Sequence, residues 1–412
     1  MRSLLTIFIL FLTTHLNAQF CTYDGRFTNI PFFTDTQISA QVNITYANAV
    51  NWNGGNQQLL LDAYYPDLAI DTMPLRPLIL MVHGGSLIYG NKHHYSGVCR
   101  EFAKRGFVAI SINYRLGLDC TTDTISEEKA KYRAQQDVNA AFRFIALNAS
   151  LLRVDTSWMF IGGGSAGSIV SLATVYMSQD EWNVFTPGIQ LLLGDLNNSG
   201  NNLTNTFSIK GIFNDWGAMI SSCIKPTEMI PMISFHGDAD NVFAIDSFYS
   251  GGCLHLDTSY GSRAMHNLLV SNGVCSDLCV EPGGAHGVFM DTICGIPFRV
   301  GRAAGFFKNL FCNNCSSTHQ AGSINSSCSF TTGILTNSVN NEIAVYPNPF
   351  YNKINISLTG SNQNYLLTNQ MGQVIYAGQS IQTNDFSNLP TGMYFLKTEN
   401  SKLVKTFKLV KE

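Results

Sequence analysis

Charge is scarce in this chain. Asp, Glu, Lys and Arg together make up 13% of its 412 residues, and the formal net charge is −3. Soluble domains carry about twice that share of charged residues. No run of Lys or Arg stands out, which speaks against a nucleic-acid partner or an anionic membrane surface. Long apolar runs are missing too. The most extended, Leu4 to Leu12, falls well short of the roughly 20 residues that span a bilayer. Zinc-ligand spacing is also absent. The close cysteine pairs Cys275/Cys279 and Cys312/Cys315 have no His placed beside them to complete a site, so disulfide pairing is the better reading, and the chemistry read below needs neither a metal nor an organic cofactor. What is plentiful is hydrophobic surface, at 45% of residues. That is enough for a sizeable core and argues against wholesale disorder.

The N-terminus reads as an export signal over residues 1–18. Arg2 gives a positive start, the apolar run follows, and Asn17-Ala18-Gln19 offers a small residue for cleavage after Ala18. All eleven cysteines lie beyond that point. In an exported chain they imply several disulfides, with at least one thiol left over; their connectivity stays open. The expected location is outside the cell or on its surface.

Residues 19–315 alternate buried-strand runs with amphipathic stretches, the pattern of a doubly wound, mostly parallel α/β sheet. Pro77–Val82, Phe107–Ile112, Trp158–Ile161 and Ile209–Phe213 read as strands. Tyr95–Lys104 and Lys129–Leu147 read as helices, the first ending at Gly106. Asn197–Thr206 interrupts the pattern and reads as a surface insertion or, alternatively, as a lid. Residues 316–341, rich in Ser, Asn, Gly and Thr, read as a linker. Residues 342–412 change to short alternating strands, as in a small β-sandwich.

Gly163-Gly164-Ser165-Ala166-Gly167 fits G-x-S-x-G between a buried strand and an apolar helical start. A strand that turns sharply into a helix exposes one side chain at the sheet edge and crowds its neighbours. Glycine two residues either side relieves that crowding. Ser165 is therefore the candidate nucleophile. His83-Gly84-Gly85-Ser86 follows another buried strand, and the N–H groups of Gly85, Ser86 and Ala166 are the candidate oxyanion donors. His83 itself reads as structural. The candidate base is His286, on the small-residue loop Gly283–Gly287. Asp240, after the strand Pro231–Phe235, is the candidate orienting acid, with Asp238 and Asp246 as rivals.

These motifs together resemble the carboxylesterase/lipase branch of the α/β hydrolases, including its hormone-sensitive-lipase-like and feruloyl-esterase-like members. The likeness runs from Asn51 to Phe311. It is carried by His83-Gly84-Gly85, Asn113-Tyr114-Arg115-Leu116-Gly117, Asp137, Ala140/Ala141, Arg143-Phe144, the Ser165 pentapeptide, Phe235-His236-Gly237 with Asp240, and Gly284-Ala285-His286-Gly287. The family often has a third glycine where this chain has Ser86, whose Cβ narrows the conformations open to the loop. The C-terminal region resembles the sorting domain of the type IX (Por) secretion system. The matching residues are Val345-Tyr346-Pro347-Asn348-Pro349, Leu389 to Phe395 and Lys405 to Val410.

The resemblance implies a secreted serine ester hydrolase working through an acyl-enzyme on acyl or feruloyl esters of polysaccharide, on lipids or on polyesters. It also implies contact with secretion machinery. The readings set against it are a serine peptidase on the same fold and a catalytically silent surface-binding protein.

Overall fold

Strands covered on both faces need hydrophobic side chains at successive positions, and such strands fill the centre of one large sheet. The computed structural model describes residues 20–21, 24–251, 253, 256–332, 344–346, 348–357, 364–399 and 404–412. The expected export signal lies outside the described residues. The first strands are β1 (Ile38–Val50), β2 (Asn56–Pro66), β3 (Arg76–Val82), β4 (Val108–Ile112), β5 (Val154–Gly164) and β6 (Ile209–Asp215). They are followed by β7 (Met219–Ile220), β8 (Met232–Gly237), β9 (Ser247–Gly251), β10 (Leu256–Tyr260), β11 (Ser276–Glu281) and β12 (Thr318–Ala321). Nine of these form one sheet in the order β1-β2-β4-β3-β5-β6-β8-β11-β12. From β4 to β12 every pairing is parallel, whereas β1 and β2 run antiparallel at one edge. The α/β fold read from the sequence is the fold observed.

The chain leaves β3 toward β4 on one side and returns through β5 on the other. This makes β3/β5 the topological switch point, where the carboxyl ends of α/β strands open a crevice. The helices are α1 (Ser96–Lys104), α2 (Ser126–Leu147), α3 (Ala166–Tyr176), α4 (Gln179–Phe185), α5 (Ile189–Leu193), α6 (Ser262–Ser271) and α7 (Gly295–Phe311). Alternation along β3 sends Leu78, Leu80 and Val82 into a core with Val138, Phe142, Val170 and Leu172 of α2 and α3. Ile79 and Met81 point the other way, into a core with Phe102 of α1 and Val300 and Phe307 of α7. Helix α1 stops where Gly106 takes φ +101, a conformation that glycine adopts without a Cβ penalty.

The segment read as a linker from 316 begins differently. Thr318–Ala321 is the ninth strand, parallel to β11, and the first unit of the chain extends through Thr332. Composition hides this strand because at an exposed sheet edge polar side chains satisfy one face. A two-stranded ribbon, β13 (Ser323–Ile324) with β14 (Phe330–Thr331), follows it. Asn197–Thr206 is pinned to the body as a surface insertion. Gly200 O accepts from Asn48 N at 2.9 Å, and Asn201 Nδ2 donates to Tyr46 O and Ala140 O at 3.0 Å each.

Four disulfides join Cys21–Cys312, Cys120–Cys253, Cys275–Cys315 and Cys294–Cys328. Neither close cysteine pair is bonded to itself: Cys312 pairs with Cys21 and Cys315 with Cys275, while Cys279, like Cys99 and Cys223, is a buried thiol. No helix among the described residues is long and apolar enough to cross a membrane.

The second unit begins after Thr332. It holds β15 (Ala344–Tyr346) paired with β16 (Asn355–Ser357), then β17 (Asn364–Asn369), β18 (Val374–Gly378), β19 (Gly392–Glu399) and β20 (Val404–Lys411) in the order β18-β17-β19-β20. Among the described residues its strands pair antiparallel, with one isolated parallel bridge between Phe350 and Lys411. The two sheets share a core of Ile356, Leu367, Tyr394, Leu396 and Leu409, a small β-sandwich.

Candidate active site

The sharp turn between β5 and α3 is built from backbone contacts. Ser165 sits at φ 54 and ψ −124, a strained conformation for a residue with a side chain. A Cβ on Gly163 would lie 2.5 Å from Gly167 C and 2.6 Å from Val82 O, and one on Gly167 would collide with Val82 O. Only glycine fits either position. Ser165 N donates to Asp215 O at 3.0 Å, which fixes the turn to the end of β6. The hydroxyl is thereby held out at the sheet edge, half-buried.

The neighbouring strand β3 ends in the His83–Ser86 loop. Gly84 approaches so closely that a Cβ there would meet Gly164 O at 2.7 Å and the Ser165 Cβ at 3.4 Å. Gly85 has φ 114, and Ser86 and Leu87 also have positive φ, at 53° and 62°. Ser86 therefore occupies the left-handed region despite its Cβ. Ile88 N and Tyr89 N close the loop onto Gly85 O at 2.9 and 3.0 Å. The N–H groups of Gly85 and Ser86 make no hydrogen bond among the described residues. Ala166 opens α3, where a helix leaves its first N–H groups without internal partners. His83 is a buried strut: Nδ1 lies 2.7 Å from Gly84 O, and the ring stacks on Tyr114 at 4.4 Å. Burial pushes its imidazole down to about 4, so it is neutral near pH 7.

The other half of the site comes from strands farther across the sheet. His286, on the loop after β11, has Nε2 2.9 Å from Ser165 Oγ and Nδ1 2.7 Å from Asp240 Oδ2. Asp240 follows β8, and its Oδ1 accepts from Val242 N and Phe243 N at 2.8 and 3.0 Å. Burial works to raise the Asp240 carboxyl. The hydrogen bonds from His236, His286 and these two N–H groups outweigh it and hold the carboxyl well below the usual range. The rivals are occupied elsewhere. Asp238 Oδ1 accepts from Gly283 N at 2.6 Å, tying the Asp240 loop to the His286 loop, and Asp246 pairs with Arg263 at 2.6 Å.

Two supports are not among the candidate site residues of the sequence. His236 is fully buried, with Nε2 3.1 Å from Asp240 Oδ2 and 2.9 Å from Phe243 O, and Nδ1 2.7 Å from Ser262 Oγ. Asn214 Nδ2 donates to Ser262 Oγ at 3.0 Å, and Asn214 Oδ1 accepts from Ser168 Oγ on α3. Ser168 N in turn donates to Ser165 O at 2.9 Å, so a chain of buried polar groups runs from Asp240 back to Ser165. The second support is the buried Arg299–Asp215 ion pair beneath the turn. Arg299 Nε also donates to Phe289 O at 2.9 Å, three residues past His286. Burial pushes the Asp215 carboxyl up to about 7, while Arg299 and then Tyr95 pull it back. The sequence signal for His236 is its place in Phe235-His236-Gly237; Arg299 and Asn214 have none.

Chemically, the arrangement is an alcohol hydrogen-bonded to an imidazole, which is hydrogen-bonded to a carboxylate, with unpaired backbone donors beside the alcohol. Residues 61–220 match the BD-FAE family, and residues 344–412 match the secretion system C-terminal sorting domain. The first match includes Ser165 and the His83–Ser86 loop and stops before Asp240. The chain is similar to carboxylesterase 3 of Homo sapiens, at 33% identity over 114 residues (27% of this chain and 20% of that one). It is likewise similar to carboxylesterase 1C of Rattus norvegicus, at 32% over 109 residues (26% and 20%). The chain thus spans about a fifth of the length of these curated relatives. A solved esterase of Thermogutta terrifontis aligns at 19% identity and TM-score 0.46, covering 68% of this chain and 96% of that one. The first unit thus has an α/β fold and resembles the carboxylesterase/lipase branch of the α/β hydrolases, and the second resembles a sorting domain.

Proposed function

We propose that the chain is a secreted serine hydrolase of carboxylic esters, with Ser165, His286 and Asp240 as its triad. The observation that carries this reading is the unbroken line from Ser165 Oγ through His286 to Asp240, at 2.9 and 2.7 Å. His286 Nε2 takes the Ser165 proton as Oγ attacks the ester carbonyl. The oxyanion is met by the N–H groups of Gly85, Ser86 and Ala166. Asp240 holds the Nδ1–H tautomer and stabilises the imidazolium. The C–O bond breaks, the alcohol leaves with the proton from His286, and an acyl group remains on Ser165. Water, deprotonated by His286, attacks that acyl group and releases the acid. Support comes from the BD-FAE match, the carboxylesterase likeness and the paired loops of β3 and β5.

The sorting domain supports export across an outer membrane by a type IX system, followed by release or surface attachment. A chain lacking 344–412 is expected to stay in the periplasm, and an extracellular yield equal to the full chain's would refute that route.

A fluorophosphonate probe should label the wild type and spare Ser165→Ala, and p-nitrophenyl esters should turn over faster than aminoacyl amides. Equal or greater turnover of the amides would replace this reading with a peptidase. No labelling at all would leave a silent binding protein.

A further inference from the structure

Beside the nucleophile helix lies a small apolar cavity, lined by Ile169 and Ala173 on α3, Trp182 on α4, Met219 on β7, and Phe243 and Phe248. Its far wall carries the Glu127–Lys131 ion pair, joined at 2.6 Å. Two contacts tie it to the chemistry. Ile169 and Ala173 follow Ser165 by four and eight positions, so they share its helix face, and Ile169 N donates to Ser165 O at 3.1 Å. The Phe243 ring lies 5.6 Å from the His286 ring. Strand β9, which carries Phe248, pairs with β10, which pairs with β7, so the cavity is roofed by a small sheet of its own.

Its volume is about 80 Å³. An apolar cavity of about 150 Å³ accepts a benzene ring, so this one has room for roughly three carbon atoms. The direction of the reaction decides which half of an ester belongs there. The alcohol must depart before water enters and needs a path to solvent. Around the triad, Tyr89, Val242 and Met290, on three of the four loops that carry the site, are all more than half exposed, so its mouth offers that path. The acyl group stays bonded to Ser165 through both steps, so a pocket that begins one helical turn from Ser165 suits it.

We infer that this cavity is the acyl subsite and that it selects unbranched acyl groups of about two to four carbons, rejecting long-chain and phenylpropenoid acyl groups. The inference rests on the esterase reading and narrows its substrate class.

The test is a series of p-nitrophenyl esters of fixed alcohol, from acetate through butyrate and hexanoate to octanoate with a ferulate ester added, alongside acetates of varied alcohols. In the wild type, kcat/KM should fall at least about tenfold from butyrate to octanoate, since one misfit methylene already changes selectivity by about tenfold or more. Ala173→Leu, which fills the cavity, should lower butyrate relative to acetate by about tenfold. Phe248→Ala, at a half-buried roof position, should raise hexanoate relative to acetate by a similar factor. Identical acyl profiles in the wild type and Phe248→Ala, a wild-type preference for ferulate, or a length dependence that follows the alcohol would each overturn the subsite. Fluorophosphonate labelling of Ser165 in the same preparations separates the two levels. Labelling with a flat acyl profile removes the subsite alone, and absent labelling removes the esterase reading with it.

Discussion

The two halves of the site are built by different means. The half after β3 and β5 is shaped by main-chain sterics: Gly84, Gly163 and Gly167 let backbones touch where any Cβ would collide. The half after β8 and β11 is held by side chains, with Asp240 gripped by His236, His286 and two N–H groups. Crosslinks do not follow this division: each of the four disulfides ends on at least one cysteine at or beyond Cys253, but the buried thiols Cys99, Cys223 and Cys279 fall on both sides of it. Steric coding leaves a turn that admits no side chain at its glycines. Hydrogen-bond coding leaves groups that can be removed one at a time.

The strongest way to sharpen the contrast is to remove the chemistry from each half. Ser165→Ala and His286→Ala should each lower kcat by about 10⁴ or more while the melting temperature holds, as kinetics and calorimetry would register. The glycines come next. Gly167→Ala should cost about 3 kcal/mol, because its Cβ would collide with the Val82 and His83 carbonyls of the neighbouring strand end. Gly283→Ala, at φ +70 with nothing within 4 Å of the added carbon, should cost only about 1 kcal/mol. Equal losses in denaturant unfolding would erase the distinction.

His83 tests the steric half by pH. Its folded pKa is depressed by burial from 6.5 to about 4. The stability it contributes is whole above 6.5 and is lost as pH falls through about 4, a span of up to about 3 kcal/mol. His83→Asn should flatten the melting temperature across that window. The smallest effect belongs to His236→Gln. Losing one charge-assisted bond to Asp240 should reduce kcat roughly tenfold with KM little changed, and the acid limb of the pH profile should move up. A profile superimposable on the wild type would reduce His236 to packing.

The same division explains which parts of the molecule are legible in the amino-acid sequence. The Ser165 turn and the Gly84–Gly85 loop are legible because sterics leave a glycine signature at fixed offsets. Strands β3 to β6 are legible because full burial leaves unbroken apolar runs. Asp240 is separable from Asp238 only as a preference, since both sit in one polar loop; geometry shows Asp238 holding Gly283. Asn214, Ser262 and Arg299 are invisible, because a buried polar group is marked by its partners in space. Strand β12 escapes for the opposite reason, its side chains being those of a loop. The disulfide pattern is beyond reach because each bond joins cysteines at least 34 residues apart.

That edge strand has a bearing on maturation. Thr318–Ala321 covers the open edge of β11, Arg302 bridges Asp277 to Gln320, and Cys328 anchors the start of α7 through Cys294. If the second unit is removed by proteolysis, a cut beyond Cys328 would leave this edge covered and the Cys294 anchor in place. A clip nearer Cys315 would bare a β-edge to aggregation and loosen the helix whose Arg299 braces the His286 loop. The mass of the processed C-terminus reads this directly.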